Sequence, residues 1–231
     1  MVSARRSSGA AAAPVRVVDV EAGPLRLPGT LTVPEDPRGV VVFVHGSGSS
    51  RSSPRNIHVA DALNDAGFAT LLFDLLTEGE EADRRNVFDI DLLADRLVGV
   101  VEWLEDHDLV SGLPLGLFGA STGAAAALVA AERLGPRVAA VVSRGGRPDL
   151  AGDVLGFVRA PVLLVVGGSD TDVLALNRIA LTRLAGEASL SVVPGATHLF
   201  PEPGALDRVV ALARDWFETW LAGAGAKAAG G

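Results

Sequence analysis

Residues 114–131 read Pro114-Leu115-Gly116-Leu117-Phe118-Gly119-Ala120-Ser121-Thr122-Gly123-Ala124-Ala125-Ala126-Ala127-Leu128-Val129-Ala130-Ala131, and the fold turns on how that stretch divides. Leu115, Leu117 and Phe118 form a short apolar run of strand type, Ala124 to Ala131 is a helix-forming run, and Gly119-Ala120-Ser121-Thr122-Gly123 joins the two. Where a strand turns sharply into a helix, flanking glycines remove side chains that would collide, and the residue between them stands clear of the sheet edge. That residue is a serine. The same turn therefore sets the order strand-then-helix and presents a hydroxyl.

Working outward, four more short β-rich runs occur at Val40 to Val44, Thr70 to Phe73, Val138 to Val142 and Pro161 to Val166. They lack alternation of polar and apolar residues, as strands covered on both faces do. Between two of them Leu93, Leu97, Val101 and Leu104 fall on one face of a helix over 91 to 107. Repetition of strand, helix and strand implies a parallel sheet with right-handed crossovers. Val15 to Val20 and Leu25 to Val33, parted by Gly23-Pro24, read as an antiparallel hairpin before it; Leu190 to Val193 is the last expected strand and Ala205 to Leu221 the closing helix. The connection over 143–160 has room for a short helix and not for a lid domain, which predicts an open site. Residues 77 to 85, rich in glutamate, aspartate and arginine, read as a solvated loop.

Composition bounds the rest. A chain of 231 residues with 48% hydrophobic and 21% charged residues suits one globular domain over 15–221, between a low-complexity leader (1–14) and an Ala/Gly tail (222–231). The longest apolar runs fall well short of the roughly 20 residues that span a bilayer. Arg5 and Arg6 precede an alanine-only stretch too weak for a signal-peptide core, so a cytoplasmic protein is expected. A net charge of -8 disfavours nucleic acid and anionic membrane as partners. The absence of cysteine removes thiolate nucleophiles, disulfides and cysteine-held metals. No spacing suits a metal, no cofactor is expected, and the oligomeric state is left between monomer and homodimer.

A serine hydroxyl needs a base to take its proton and a third group to hold that base. Of four histidines, His198 alone follows the final strand, in Gly195-Ala196-Thr197-His198-Leu199. It is therefore the candidate base, at the sheet edge where open α/β folds place their sites. His45 reads as a buttress of its own loop, while His58 opens one helix and His107 ends another. The acid should follow a strand between serine and histidine, where Gly167-Gly168-Ser169-Asp170-Thr171-Asp172 offers two carboxylates. Asp170 is favoured; Asp172 suits the first turn of the next helix. Asp74 and Asp149 read as turn or cap residues. For the oxyanion of a tetrahedral intermediate the donors expected are the N–H groups of Thr122 and Ser47, with Gly48 as an alternative in the glycine-serine loop 46–50. Arg51, Arg55 and Arg144 lie near strand ends, where a guanidinium could meet an anionic substrate; Leu199 and Phe200 are candidate apolar walls. No Gly-Lys-Ser/Thr follows the first glycine loop and no G-x-G-x-x-G occupies the first β-α turn, against phosphate-cradling and hydride-transfer readings.

Four segments together, HGSGSS at 45–50, GASTG at 119–123, VVGGSD at 165–170 and GATHLF at 195–200, resemble the dienelactone hydrolase family of α/β-hydrolases, over about residues 25–221. The resemblance implies an α/β-hydrolase fold without a large lid and a triad at Ser121, Asp170 and His198. Dienelactone hydrolases proper carry a cysteine nucleophile where this chain has Ser121. The activity expected is hydrolysis of small carboxylic esters through an acyl-Ser121 intermediate. Thioesterase, lactonase and peptidase activities use the same triad, and a non-catalytic binding module of this fold is the alternative from another class.

Overall fold

The computed structural model describes residues 13–228. In chain order the elements are β1 (Val15–Ala22), β2 (Leu25–Thr32), β3 (Val40–Val44), α1 (Pro54–Asp65), β4 (Ala69–Phe73), α2 (Glu78–Glu81), α3 (Arg84–Val87), α4 (Ile90–Glu105), β5 (Leu115–Ala120), α5 (Thr122–Leu134), β6 (Val138–Arg144), β7 (Val162–Gly167), α6 (Thr171–Arg183), β8 (Ala188–Val193) and α7 (Ala205–Ala228). A 3-10 segment, Pro148–Phe157, fills the connection from β6 to β7. The strands form one sheet in the order β1-β2-β4-β3-β5-β6-β7-β8. From β4 to β8 every pairing is parallel; β1 with β2 and β2 with β4 are antiparallel.

Continuous apolar runs become strands here because each face of the sheet has its own core. In β3, Val40, Val42 and Val44 enter the core beneath α4 and α5, while Val41 and Phe43 enter the core beneath α1 and α7. Leu117 and Phe118 of β5, and Leu164 and Val165 of β7, part in the same way, as successive side chains of a strand must. Gly116 of β5 leaves the room into which α7 sets Phe217: a Cβ there would lie 2.6 Å from the ring. The Asp89 carboxylate accepts the Leu92 N–H at 3.0 Å and starts α4, which buries Leu93, Leu97, Val101 and Leu104. Ser53 caps α1, with Pro54 in its first turn.

Two expectations change. The segment read as a solvated loop contains α2 and the start of α3, each helix one turn long. Thr77 opens the first with a reciprocal capping box to Glu80, whose carboxylate also takes the guanidinium of buried Arg96 at 2.7 Å. Burial alone would raise the Glu80 pKa, but the Thr77 bonds and Arg96 hold it below its usual value. The tail expected from residue 222 is helical as far as Ala228, because α7 continues through it. The leader expected over 1–14 lies, through residue 12, outside the described residues. Among the described residues no helix is long and apolar enough to cross a membrane.

Candidate active site

The turn from β5 into α5 holds Ser121 at φ 52°, in the left-handed region where a residue with a Cβ is strained by about 1–3 kcal/mol. Its surroundings impose that shape. A Cβ on Gly119 would lie 2.5 Å from Ala124 Cα, and one on Gly123 would lie 2.2 Å from the Val44 carbonyl oxygen. The motif's glycines thus let α5 press against the ends of β5 and β3. Three backbone bonds fix the turn: Ser121 N–H donates to Arg144 O at 3.3 Å, and Ser121 O accepts from Ala124 N at 3.1 Å and Arg147 N at 3.0 Å.

His198 reaches the same edge from the loop after β8. Its Nδ1 is 2.7 Å from Asp170 Oδ2. Asp170 stands at the N-cap of α6 yet makes no side-chain cap bond there, its carboxylate being turned to the histidine. Asp172 sits in the first turn of α6, exposed, in the place that negative charge favours at a helix start. The two loops are tied by Ser169 N–H donating to Ala196 O at 2.9 Å. Glu202 braces the histidine loop by accepting from the Thr197 N–H at 3.0 Å and hydroxyl at 2.6 Å, and the hydroxyl bond holds its carboxyl below the usual range. The sequence reading missed Glu202. Among the described residues no hydrogen bond joins Ser121 Oγ to His198, a contact that often tightens only with substrate in place.

On the other side of Ser121, His45 fastens the loop after β3. Leu75 N–H can only donate, and it points to His45 Nε2 at 3.1 Å; the proton therefore sits on Nδ1, which donates to Gly46 O at 3.0 Å. Burial pushes this imidazole below its ordinary 6.5, so the neutral form is locked in. Asp74 is more than a turn residue, since its carboxylate accepts the Arg51 N–H at 2.8 Å and also binds the Arg51 guanidinium. Arg51 is thereby neutralised. Ser47 N–H, expected to serve an oxyanion directly, donates to Thr122 Oγ1 at 2.9 Å. Thr122 N–H, in the first turn of α5, has no intrahelical acceptor.

A cleft of about 320 Å³ is lined by residues that include Ser47, Gly48, Leu75, Glu81, Val87 and Thr122. Its lining includes Arg51 and excludes Ser121, Asp170 and His198. Phe200 is not a wall of the site: it is 2% exposed and packs in the core beneath α7. Leu199 is 46% exposed, outside the cleft lining. Arg144, at the end of β6, is buried and turned toward α1, where its guanidinium donates to Asn56 Oδ1 at 3.3 Å. Burial and the charge of Arg55 pull its pKa down to about 10. His58 pairs with Asp207 across α1 and α7. Asp149 pairs with Arg147.

A family model described as serine aminopeptidase S33 matches residues 35–146. Among solved structures, a dienelactone hydrolase from Anabaena variabilis is 51% identical with a TM-score of 0.89, the match covering 91% of this chain and 100% of that one. Est1E from Butyrivibrio proteoclasticus has a TM-score of 0.75 at 16% identity over 88% of this chain and 98% of its own, a likeness of fold alone. A curated Mycobacterium tuberculosis protein, provisionally named a phosphoribosyl transferase, is 62% identical over 208 residues, 90% of this chain and 47% of that protein. The chain thus spans about half the length of the curated relatives it matches, and the transferase name belongs to that longer protein.

Proposed function

The chain belongs to the dienelactone hydrolase family of α/β-hydrolases, and from that premise we propose that it hydrolyses small carboxylic esters with Ser121 as nucleophile, His198 as general base and Asp170 as the group that orients the base. The observation that carries this reading is the 2.7 Å contact of His198 Nδ1 with Asp170 Oδ2, beside a serine raised on a strained turn. A carboxylate on Nδ1 keeps that nitrogen protonated and leaves Nε2 free to accept.

The steps follow from those positions. Ser121 Oγ attacks the ester carbonyl carbon while His198 Nε2 takes the hydroxyl proton, and the carbonyl oxygen becomes an oxyanion facing Thr122 N–H. On collapse the carbon–oxygen bond to the alcohol breaks and His198 returns its proton to the leaving oxygen. Water, deprotonated by the same histidine, then releases the acid from acyl-Ser121. The Asp170 carboxylate stabilises the imidazolium that forms twice.

The test is labelling with a fluorophosphonate probe, read by peptide mass spectrometry. Labelling at Ser121, lost together with ester turnover in Ser121→Ala, is the expected result. A wild-type protein that is folded and unlabelled, or a Ser121→Ala variant as active as wild type, would refute the assignment.

A further inference from the structure

We propose that the Thr122 hydroxyl is itself a donor to the reaction oxyanion, with Ser47 N–H acting through it and not beside it. The inference rests on the reading of Ser121 as nucleophile. Its starting point is the 2.9 Å bond from Ser47 N–H to Thr122 Oγ1, which occupies the very N–H that the loop would otherwise offer.

An oxygen that accepts an N–H bond keeps its own hydrogen to give. Within a helix a threonine hydroxyl commonly donates to the carbonyl one turn earlier. Thr122 begins α5, so strand and turn precede it and no helical turn stands behind it. The nearby Ser121 carbonyl already accepts from Ala124 and Arg147. Among the described residues Thr122 Oγ1 donates to none. Thr122 is 5% exposed, and it lines the cleft together with Ser47.

The residue therefore offers two donors from one position next to the nucleophile: its backbone N–H, fixed by α5, and its hydroxyl, fixed by Ser47. A hydroxyl that accepts one bond is polarised into a better donor for the next, and more so away from bulk water. The Ser47 bond has a second effect. It holds the hydroxyl in a single rotamer before substrate arrives, so little reorganisation is left for the transition state, where such donors act most strongly. Thr122 would then be a catalytic residue through its side chain as well as its backbone, and Ser47 a positioning residue.

The experiment compares Thr122→Val, Thr122→Ala and Thr122→Ser in the full chain, with folding checked by thermal melting. Valine and alanine remove the hydroxyl, and alanine adds no bulk should valine disturb the turn. Both should lower kcat by about 10²-fold with KM little changed, the scale set by deleting one oxyanion donor. Serine should return kcat to within a few-fold of wild type. Affinity for a boronic acid that mimics the tetrahedral state should fall in parallel with kcat/KM. Valine and alanine variants that keep the wild-type kcat, or exceed it because the hydroxyl had merely blocked Ser47 N–H, would overturn the proposal, as would a serine variant as slow as alanine. Fluorophosphonate labelling of the wild type separates the two levels: labelled Ser121 with an indifferent Thr122 removes this inference alone, and unlabelled Ser121 removes both.

Discussion

At the scale of the residue, the site is a set of side chains whose alternative employment the fold has closed off. Asp170 occupies an N-cap, where an aspartate ordinarily serves the helix, yet makes no cap bond and faces His198. Asp172, two residues on, remains exposed in the first turn of α6. The two carboxylates are chemically alike and differ only in what they face, so they form a controlled pair. Asp170→Asn should lower kcat/KM for an aryl ester by roughly 10⁴-fold, since an amide cannot hold the histidine in the same tautomer. Asp172→Asn should stay within a few-fold of wild type. Steady-state kinetics on the two variants decides, and a larger loss at Asp172 would reassign the acid.

At the scale of the element, what was legible in the sequence is what burial on two faces dictates. Val40 to Val44 has no polar residue because α5 covers one side and α1 the other, and such a run reads as a buried strand without further help. The triad candidates were legible for a related reason: each follows a strand, and strand ends are the easiest boundaries to see. Elements of one turn were not. α2 and α3 are too short to show periodicity, although Thr77 and Glu80 carry the spacing of a capping box. Nor could sequence reveal that Ser47 and Thr122, 75 positions apart, would meet through a side chain, or that Phe200 would turn inward at φ 55°. Such facts depend on rotamers and turns. His45 shows how a loop is then made part of the scaffold, linking the end of β3 to Leu75, the second residue after β4, through a neutral ring. Because its pKa is lowered in the folded protein, the unfolded chain binds the extra proton below the ordinary 6.5. This contribution is complete above that value and is lost as pH falls from it toward the folded pKa. Urea midpoints at pH 7.5 and 5.5 should therefore fall further for wild type than for His45→Asn, and parallel profiles would show that the ring is not held neutral.

At the scale of the whole molecule, the sheet order bears on which part of an ester the proposed mechanism would set in the cleft. The loop carrying Ser47 follows β3 and the loop carrying His198 follows β8, so Ser121, at the end of β5, stands between them. In the proposed mechanism the leaving alcohol faces His198, which protonates it, whereas the cleft is lined by Ser47 and Thr122 and not by His198. On that mechanism the cleft is the proposed acyl side. Its cover comes from α2 and α3, not from the β6 to β7 connection, where only the 3-10 segment Pro148–Phe157 is inserted. Cover of that kind limits length. The cleft, about 320 Å³ in volume, sets a limit on how much of an acyl chain it can bury. Across a series of esters of one phenol, kcat/KM should rise from acetyl through medium-length acyl chains, each methylene buried in the cleft contributing up to about 0.8 kcal/mol, and then level off toward palmitoyl, where further methylenes stay exposed. Replacing Val87 with tryptophan should bring the levelling-off to shorter acyl chains, and should leave the dependence on alcohol size unchanged because the proposed mechanism sets the alcohol toward His198. Steady progress to palmitoyl without a break, or a Val87 variant that alters alcohol preference instead, would place the acyl chain outside this cleft.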